Sequence, residues 1–317
     1  MRKQLLIAAL AATCVLCYTA CKKDSKTTVP ATNSTLNNAG DFVKKYGPKT
    51  QTFILNTGSL PQAITLTGGT KITIPAGITL NGQIVTGNIT VSVIEVLKRS
   101  DVILGGTNTN TGSGDLLTSK GFVYIDIKSN GISVDDPLPS PMTIVMPGTN
   151  GDNTFLWQGD TNVNGTQQMG WNILQGRTVK ATQQGFEFDF GNLGWINCDV
   201  FYAIDSPKTT MHVSLPDNPG ELANYLGGSG NTFVFLCVQG SLVAAQLYTP
   251  DGNGVKSYDN TIPVGVNAQL LAFCIKDGHY YLAEKEITTV NNDTEVLNFT
   301  ETTDDAIQQA IDALNYY

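Results

Sequence analysis

The chain has 317 residues, a formal net charge of -8 and only 15% charged residues. That length can hold two domain cores, and a composition rich in Gly, Thr and Asn but poor in Glu, Lys and Arg favours strands and turns over helices. An acidic surface with no basic stripe repels phosphate backbones, which excludes nucleic acid as a partner.

Residues 1–20 have the parts of a secretory signal: Arg2 and Lys3, an apolar run over 5–15, then Thr19 and Ala20 before Cys21. The run is too short to span a membrane, which takes about 20 residues. Ala20-Cys21 resembles the lipobox of bacterial lipoproteins, with Tyr18 where Leu is usual. The resemblance implies that Cys21 becomes the lipidated first residue of the mature protein and that the membrane is a partner through that lipid. Several acyl chains on one residue would anchor it stably in the outer membrane. Lys22-Lys23-Asp24 is similar to the surface-export signals of Bacteroidota-type lipoproteins, which implies the cell surface. Residues 21–47 read as a flexible tether, polar and unable to bury a core, with a short helical turn over Ala39–Tyr46.

A first domain is expected over 48–150. Phe53 and Leu55 alternate with polar neighbours, as do Ile64 and Leu66, then Ile72 and Ile74. Gly68-Gly69 and Asn81-Gly82 supply turns, and Pro75 stops a strand. Ile89, Val91 and Val93 begin a longer strand. Further on, Phe122 and Tyr124 share one strand face, with Val123, Ile125 and Ile127 on the other. Closely spaced short strands with turn signals predict a β-sandwich. The run Gly68-Gly-Thr-Lys-Ile-Thr-Ile-Pro-Ala-Gly77, followed by a hairpin and the strand 89–97, resembles a ZU5 domain, closest to those of bacterial surface lipoproteins. The resemblance spans roughly 64–146 and implies a fold and a habit of binding proteins. Its glycines and Pro75 shape turns and carry no reactive group, so specific binding is expected from displayed loops, especially the stretch 105–114, or from the second half of the chain.

A second β-rich domain is expected over 151–317. Asp135-Asp136-Pro137 begins a stiff linker segment. Phe186, Phe188 and Phe190 form one aromatic face, and residues 193–199 are a compact Trp–Cys stretch. Residues 232–238 and 242–247 are continuous apolar strands. The stretch 232–289, with Ile262-Pro-Val-Gly265 and a Lys276-Asp-Gly hairpin, is similar to transthyretin- or peptidase-regulatory-like sandwiches. The chain closes with a helix: Thr302 or Thr303 caps it, Asp304 and Asp305 suit its positive end, and Ala306, Ile307, Ala310, Ile311 and Leu314 make an apolar stripe that docks on this domain.

Few groups offer chemistry. His212 and His279 lack metal-ligand spacing, so no metal and no cofactor are expected. Gly227-Gly-Ser-Gly230 is no nucleophile elbow. His212-Val-Ser214 is similar to the self-cleavage tripeptide of some ZU5-containing proteins, but Val213 stands for Phe and the site lies outside the matching stretch; an exposed strand face is the favoured reading. Asp251, Asn253 and Asp259 fall short of a calcium loop, because Val255 breaks the pattern. The carboxylate pairs Asp135-Asp136 and Glu187/Asp189 are formal candidates for glycoside hydrolysis. Cys198, Cys237 and Cys274 are an odd, sparse set; the last two sit in apolar strands, which points to buried thiols, with a disulfide between two of the three as the alternative. Trp157 and Trp171 are the candidate ligand contacts, and with Trp195, Tyr280 and Tyr281 could form a sugar-stacking platform, but core packing is the favoured reading because sandwiches of this size need large apolar residues.

The sequence therefore predicts an all-β protein of two sandwich-like domains with a short C-terminal helix. The function expected is a non-catalytic interaction or structural module at the outer membrane or cell surface. A glycan-binding lipoprotein of a nutrient-uptake system and a hydrolase are the alternatives.

Overall fold

A computed structural model describes residues 35–148 and 154–317. Cys21, the signal and the first part of the tether lie outside the described residues. The described chain from Thr35 onward clusters as one compact unit, built as a stack of β-layers.

The first layer is a five-stranded sheet in the order Lys180–Thr182, Gly185–Phe190, Met142–Pro147, Lys71–Ile74, Gln62–Thr65. The second is a seven-stranded sheet running Gln51–Asn56, Asn88–Val96, Leu117–Ser129, Gly194–Phe201, Phe155–Asp160, Gly170–Ile173, with Ile132–Ser133 paired to one side. Alternation explains their packing. Phe186, Phe188 and Phe190 turn inward, Glu187 is half-buried and Asp189 is exposed. Val91, Val93, Val123, Ile125 and Ile127 meet them from the second layer and complete one core.

The sandwich predicted over 48–150 is therefore incomplete without residues 155–201. Phe155–Asp160 pairs with Gly194–Phe201, which pairs with Leu117–Ser129, and Gly185–Phe190 pairs with Met142–Pro147. A boundary at 150 cuts through both sheets, and the sandwich closes only at Phe201. Turn residues mark strand ends locally, whereas membership of a sheet is set by partners far along the chain.

The second layer is buried on its other face as well. Val96, Leu117, Phe122, Trp157, Trp171 and Trp195 project from it into a second core. Phe233, Phe235, Leu271, Phe273 and Ile275 meet them from a third layer. That layer is a five-stranded sheet ordered Ala244–Gln246, Thr232–Val238, Asn267–Lys276, His279–Thr288, Thr300–Thr302. Its central strands are apolar on both sides because Val234, Leu236, Val238, Leu270 and Ala272 fill a third core. A small fourth layer closes that core, with His212–Ser214 between Gly254–Lys256 and Thr294–Val296.

Three helices pad the second core. Helix α1, Ala39–Tyr46, buries Phe42. Helix α2, Arg99–Leu104, buries Val102, Ile103 and Leu104. Helix α3, Asp304–Ala313, buries Ile307 and Ile311, and its Thr303 hydroxyl accepts the Ala306 N–H at 3.1 Å. The stripe on α3 is thus docked, as its sequence implies, but between layers and against α2 rather than on one domain. Among the described residues no helix is long and apolar enough to cross a membrane.

Candidate functional site

The tryptophans come together as core. Trp157 is 2% exposed and Trp171 0%, and Trp171 and Trp195 both pack on Phe122 at 5.0 and 5.4 Å between ring centroids. The Trp171 N–H donates to the Asn108 carbonyl at 2.8 Å and that of Trp157 to the Asp199 carbonyl at 3.2 Å. A sugar-stacking platform on Trp157 and Trp171 is overturned, because both rings seal the seam between the sandwiches. The Trp residues lie on the strand face that a third layer covers, and no short-range pattern announces that layer. Tyr280 packs on the same core, and Tyr281 stacks on His279 at 6.4 Å.

The stretch 105–114 is likewise internal over most of its length: Thr107, Asn108, Thr109, Asn110 and Thr111 are all buried. It is a polar strut between the two sandwiches. The Thr109 N–H donates to the Ala244 carbonyl, whose own N–H donates to the Thr109 hydroxyl. The Gln246 N–H reaches the Asn110 side-chain carbonyl at 2.8 Å, and the Asn108 amide donates to the Met169 carbonyl at 2.7 Å. Every such bond satisfies a backbone group that burial would otherwise leave unpaired.

Where this seam reaches the surface it opens into a cleft of about 560 Å³. Thr166, Gln167 and Gln168 line one wall, from the loop before strand Gly170–Ile173; Leu222, Asn224 and Ser229 line the other. Tyr248, Thr249, Pro250 and the segment 256–259 complete it. The wall groups are held in place. Gln167 sits in the left-handed region with φ 57°, and its side-chain carbonyl accepts from the Asn224 amide at 2.9 Å across the cleft. Gln168, nearly buried, donates to the Ala223 carbonyl at 3.1 Å. Tyr248 and Tyr258 meet edge to face at 6.0 Å, their hydroxyls 3.1 Å apart. Burial, helped by the Tyr258 hydroxyl, raises the Tyr248 phenol well above its ordinary value, so it is a neutral hydrogen-bonding group. The cleft's two charges face each other: the Lys256 ammonium donates to Asp259 at 2.7 Å and lowers that carboxyl. Amides, hydroxyls and aromatic edges with self-neutralised charge suit a polar, uncharged ligand. Sequence reasoning missed this site because its residues come from four separated segments, none with a motif.

The remaining candidates are tied up elsewhere. His212 and Ser214 share the outer, half-buried face of their strand, with Val213 buried between them, as alternation predicts. His212 meets Asp251 at 2.6 Å, while the Ser214 hydroxyl donates to Asn253 at 3.0 Å. Asp135 accepts the N–H groups of Asn81 and Gly82, Asp189 accepts from Thr143, and Glu187 faces Lys180. Cys198, Cys237 and Cys274 are buried free thiols, and burial raises the Cys237 thiol to about 12. His279 pairs with Glu301 at 2.7 Å on the surface. Among the described residues no cluster of His, Cys, Asp and Glu has metal-binding geometry.

No family model matches the chain, and no curated protein matches it.

Proposed function

We propose that the protein is a non-catalytic envelope lipoprotein, held to the outer membrane through lipid on Cys21, that acts as an interaction module. In this reading residues 51–201 are a ZU5-like sandwich welded to a second β-rich half, and the cleft at their junction is the recognition site. The observation that carries it is the cleft's lining: fixed amides and hydroxyls around the Tyr248–Tyr258 pair, with Lys256 and Asp259 neutralising one another. Rigid tyrosines flanked by polar groups are a common recognition surface, because they give contact area at small entropic loss.

The same lining favours a glycan as the ligand over a charged peptide, since sugar hydroxyls match amide and hydroxyl partners and their C–H faces suit tyrosine rings. Calorimetric titration with neutral oligosaccharides tests it: saturable heat, lost in Tyr258→Ala, is expected. If no sugar binds but a photo-crosslinker placed at Ser257 captures one envelope protein, the partner is protein. If neither occurs, the cleft is not the recognition site. Globomycin should block processing of the precursor; unchanged processing would remove the lipid anchor from the reading.

A further inference from the structure

Next to α1, a smaller pocket of about 260 Å³ opens between the helix and the middle sheet. Its floor is Val96, Thr107 and Trp195, all buried, and Val43 and Ile94 form half-buried walls. The Trp195 N–H is satisfied by the Tyr225 hydroxyl at 2.5 Å, so the indole brings no unpaired donor to this apolar space.

Two observations mark it as more than a packing gap. Leu226 lines it with φ 56°, a conformation that bulky side chains avoid, and is held there by its N–H on the Gly106 carbonyl at 3.0 Å. A Cβ on Gly106 would lie 2.8 Å from the Leu226 Cα, so a glycine is required for that approach. The exposed rim is also basic on an acidic protein. Lys44 has no ion pair among the described residues, and the Lys49 ammonium donates only to the carbonyls of Lys44 and Lys45, at 2.8 and 2.7 Å.

We propose that this pocket binds the apolar body of a small monocarboxylate, with Lys44 and Lys49 holding the carboxylate at its mouth. The apolar floor provides the favourable transfer of a short alkyl chain or single ring from water. The lysines select head-group charge, since opposite charges at a partly exposed site gain what like charges lose. The volume sits at the small end for ligand pockets, which favours a medium chain over a full-length fatty acid. This site shares no lining residue with the cleft described above, although the loop 224–229 borders both.

The test uses the full chain carrying Cys21→Ser, which prevents acylation and changes no described residue. Calorimetric titration with octanoate is expected to saturate at one site per chain. Octylammonium should bind at least about tenfold more weakly, and the surface double variant Lys44→Gln/Lys49→Gln should weaken octanoate about five- to tenfold. Val43→Trp, which fills the pocket, should abolish binding, while Tyr258→Ala should leave it unchanged. Should Val43→Trp fail to fold, the lysine pair decides alone. Absence of saturable octanoate binding, equal binding of octylammonium, or binding indifferent to the lysine variant overturns the proposal.

Discussion

Asp199 is a carboxyl held wholly inside the fold, on the strand Gly194–Phe201 where the pairing with Ser119 slips by one residue. Desolvation raises it to about 7, only partly offset by hydrogen bonds from Ser119, Asn197 and the Lys120 N–H. The folded value lies above the unfolded one, so the contribution of this group is fully present below about pH 4 and is lost as pH rises toward 7. The loss is of order 4 kcal/mol at most, about 1.4 kcal/mol per pH unit. Asp199→Asn should therefore gain stability relative to the native chain as pH rises from 4 to 7. Urea unfolding at several pH values reads the difference, and parallel curves would show that Asp199 does not carry it.

Arg99 is a buried cation. Its guanidinium donates to the carbonyls of Leu314 at 2.7 Å and Val238 at 2.6 Å, and to that of Ser241. Burial lowers its pKa. Lysine cannot reproduce that fork, so Arg99→Lys should cost on the order of 2 kcal/mol, measured by chemical denaturation. Neither residue was legible beforehand. Arg99 sits in the polar break Lys98-Arg-Ser-Asp101, which reads as surface, and Asp199 follows Asn197-Cys198 with no sign that its strand lies in the middle of a sheet.

Elements whose signals are local were legible. Helix α3 begins where its cap and acidic first turn imply, and α1 occupies the span its sequence outlines. Strand faces followed alternation wherever an apolar residue met a polar one. The segment 107–111 shows the limit: Thr, Asn and Gly carry no periodicity and read as a displayed loop, yet tertiary partners more than a hundred residues away bury it. Its hydrogen bonds should accordingly be expensive to remove. Asn110→Ala leaves the buried Gln246 N–H without its acceptor and should cost about 1–3 kcal/mol, whereas Asn81→Ala, at an exposed hairpin, should cost less beyond its backbone strain. Equal effects by thermal unfolding would contradict the strut.

At the scale of the whole molecule, the central sheets are each covered on both faces, so neither sandwich is complete alone. Trp171→Ala should lower global stability by about 3–5 kcal/mol, and the two halves should still melt in one calorimetric transition. Two separated transitions would mean that the seam is a docking surface rather than a core. A fragment ending at residue 150 should fail to fold, because it lacks five strands of the first sandwich, Phe155–Asp160, Gly170–Ile173, Lys180–Thr182, Gly185–Phe190 and Gly194–Phe201. The boundary could not be read from Pro and Gly punctuation, which marks every hairpin equally. The cleft was invisible for the same reason, being made by the meeting of the two halves.

The start of the described chain is stitched to segments from the other end of the sequence. The Leu36 and Asn37 carbonyls accept the N–H groups of Gly278 and Asp277, and the Leu36 N–H donates to the Tyr280 hydroxyl at 3.2 Å. At the far end of α1, Lys45 and Tyr46 grip Asp304 at 2.6 and 2.9 Å. A pull applied at residue 35 is thus borne first by the hairpin around Asp277 and by α3, far along the chain from α1. Those polar contacts are few and partly exposed, but Leu36, Ala39 and Phe42 are buried in the second core beside them. Single-molecule extension from that point should therefore show no separate low-force release of α1, the helix coming away only as the second core ruptures.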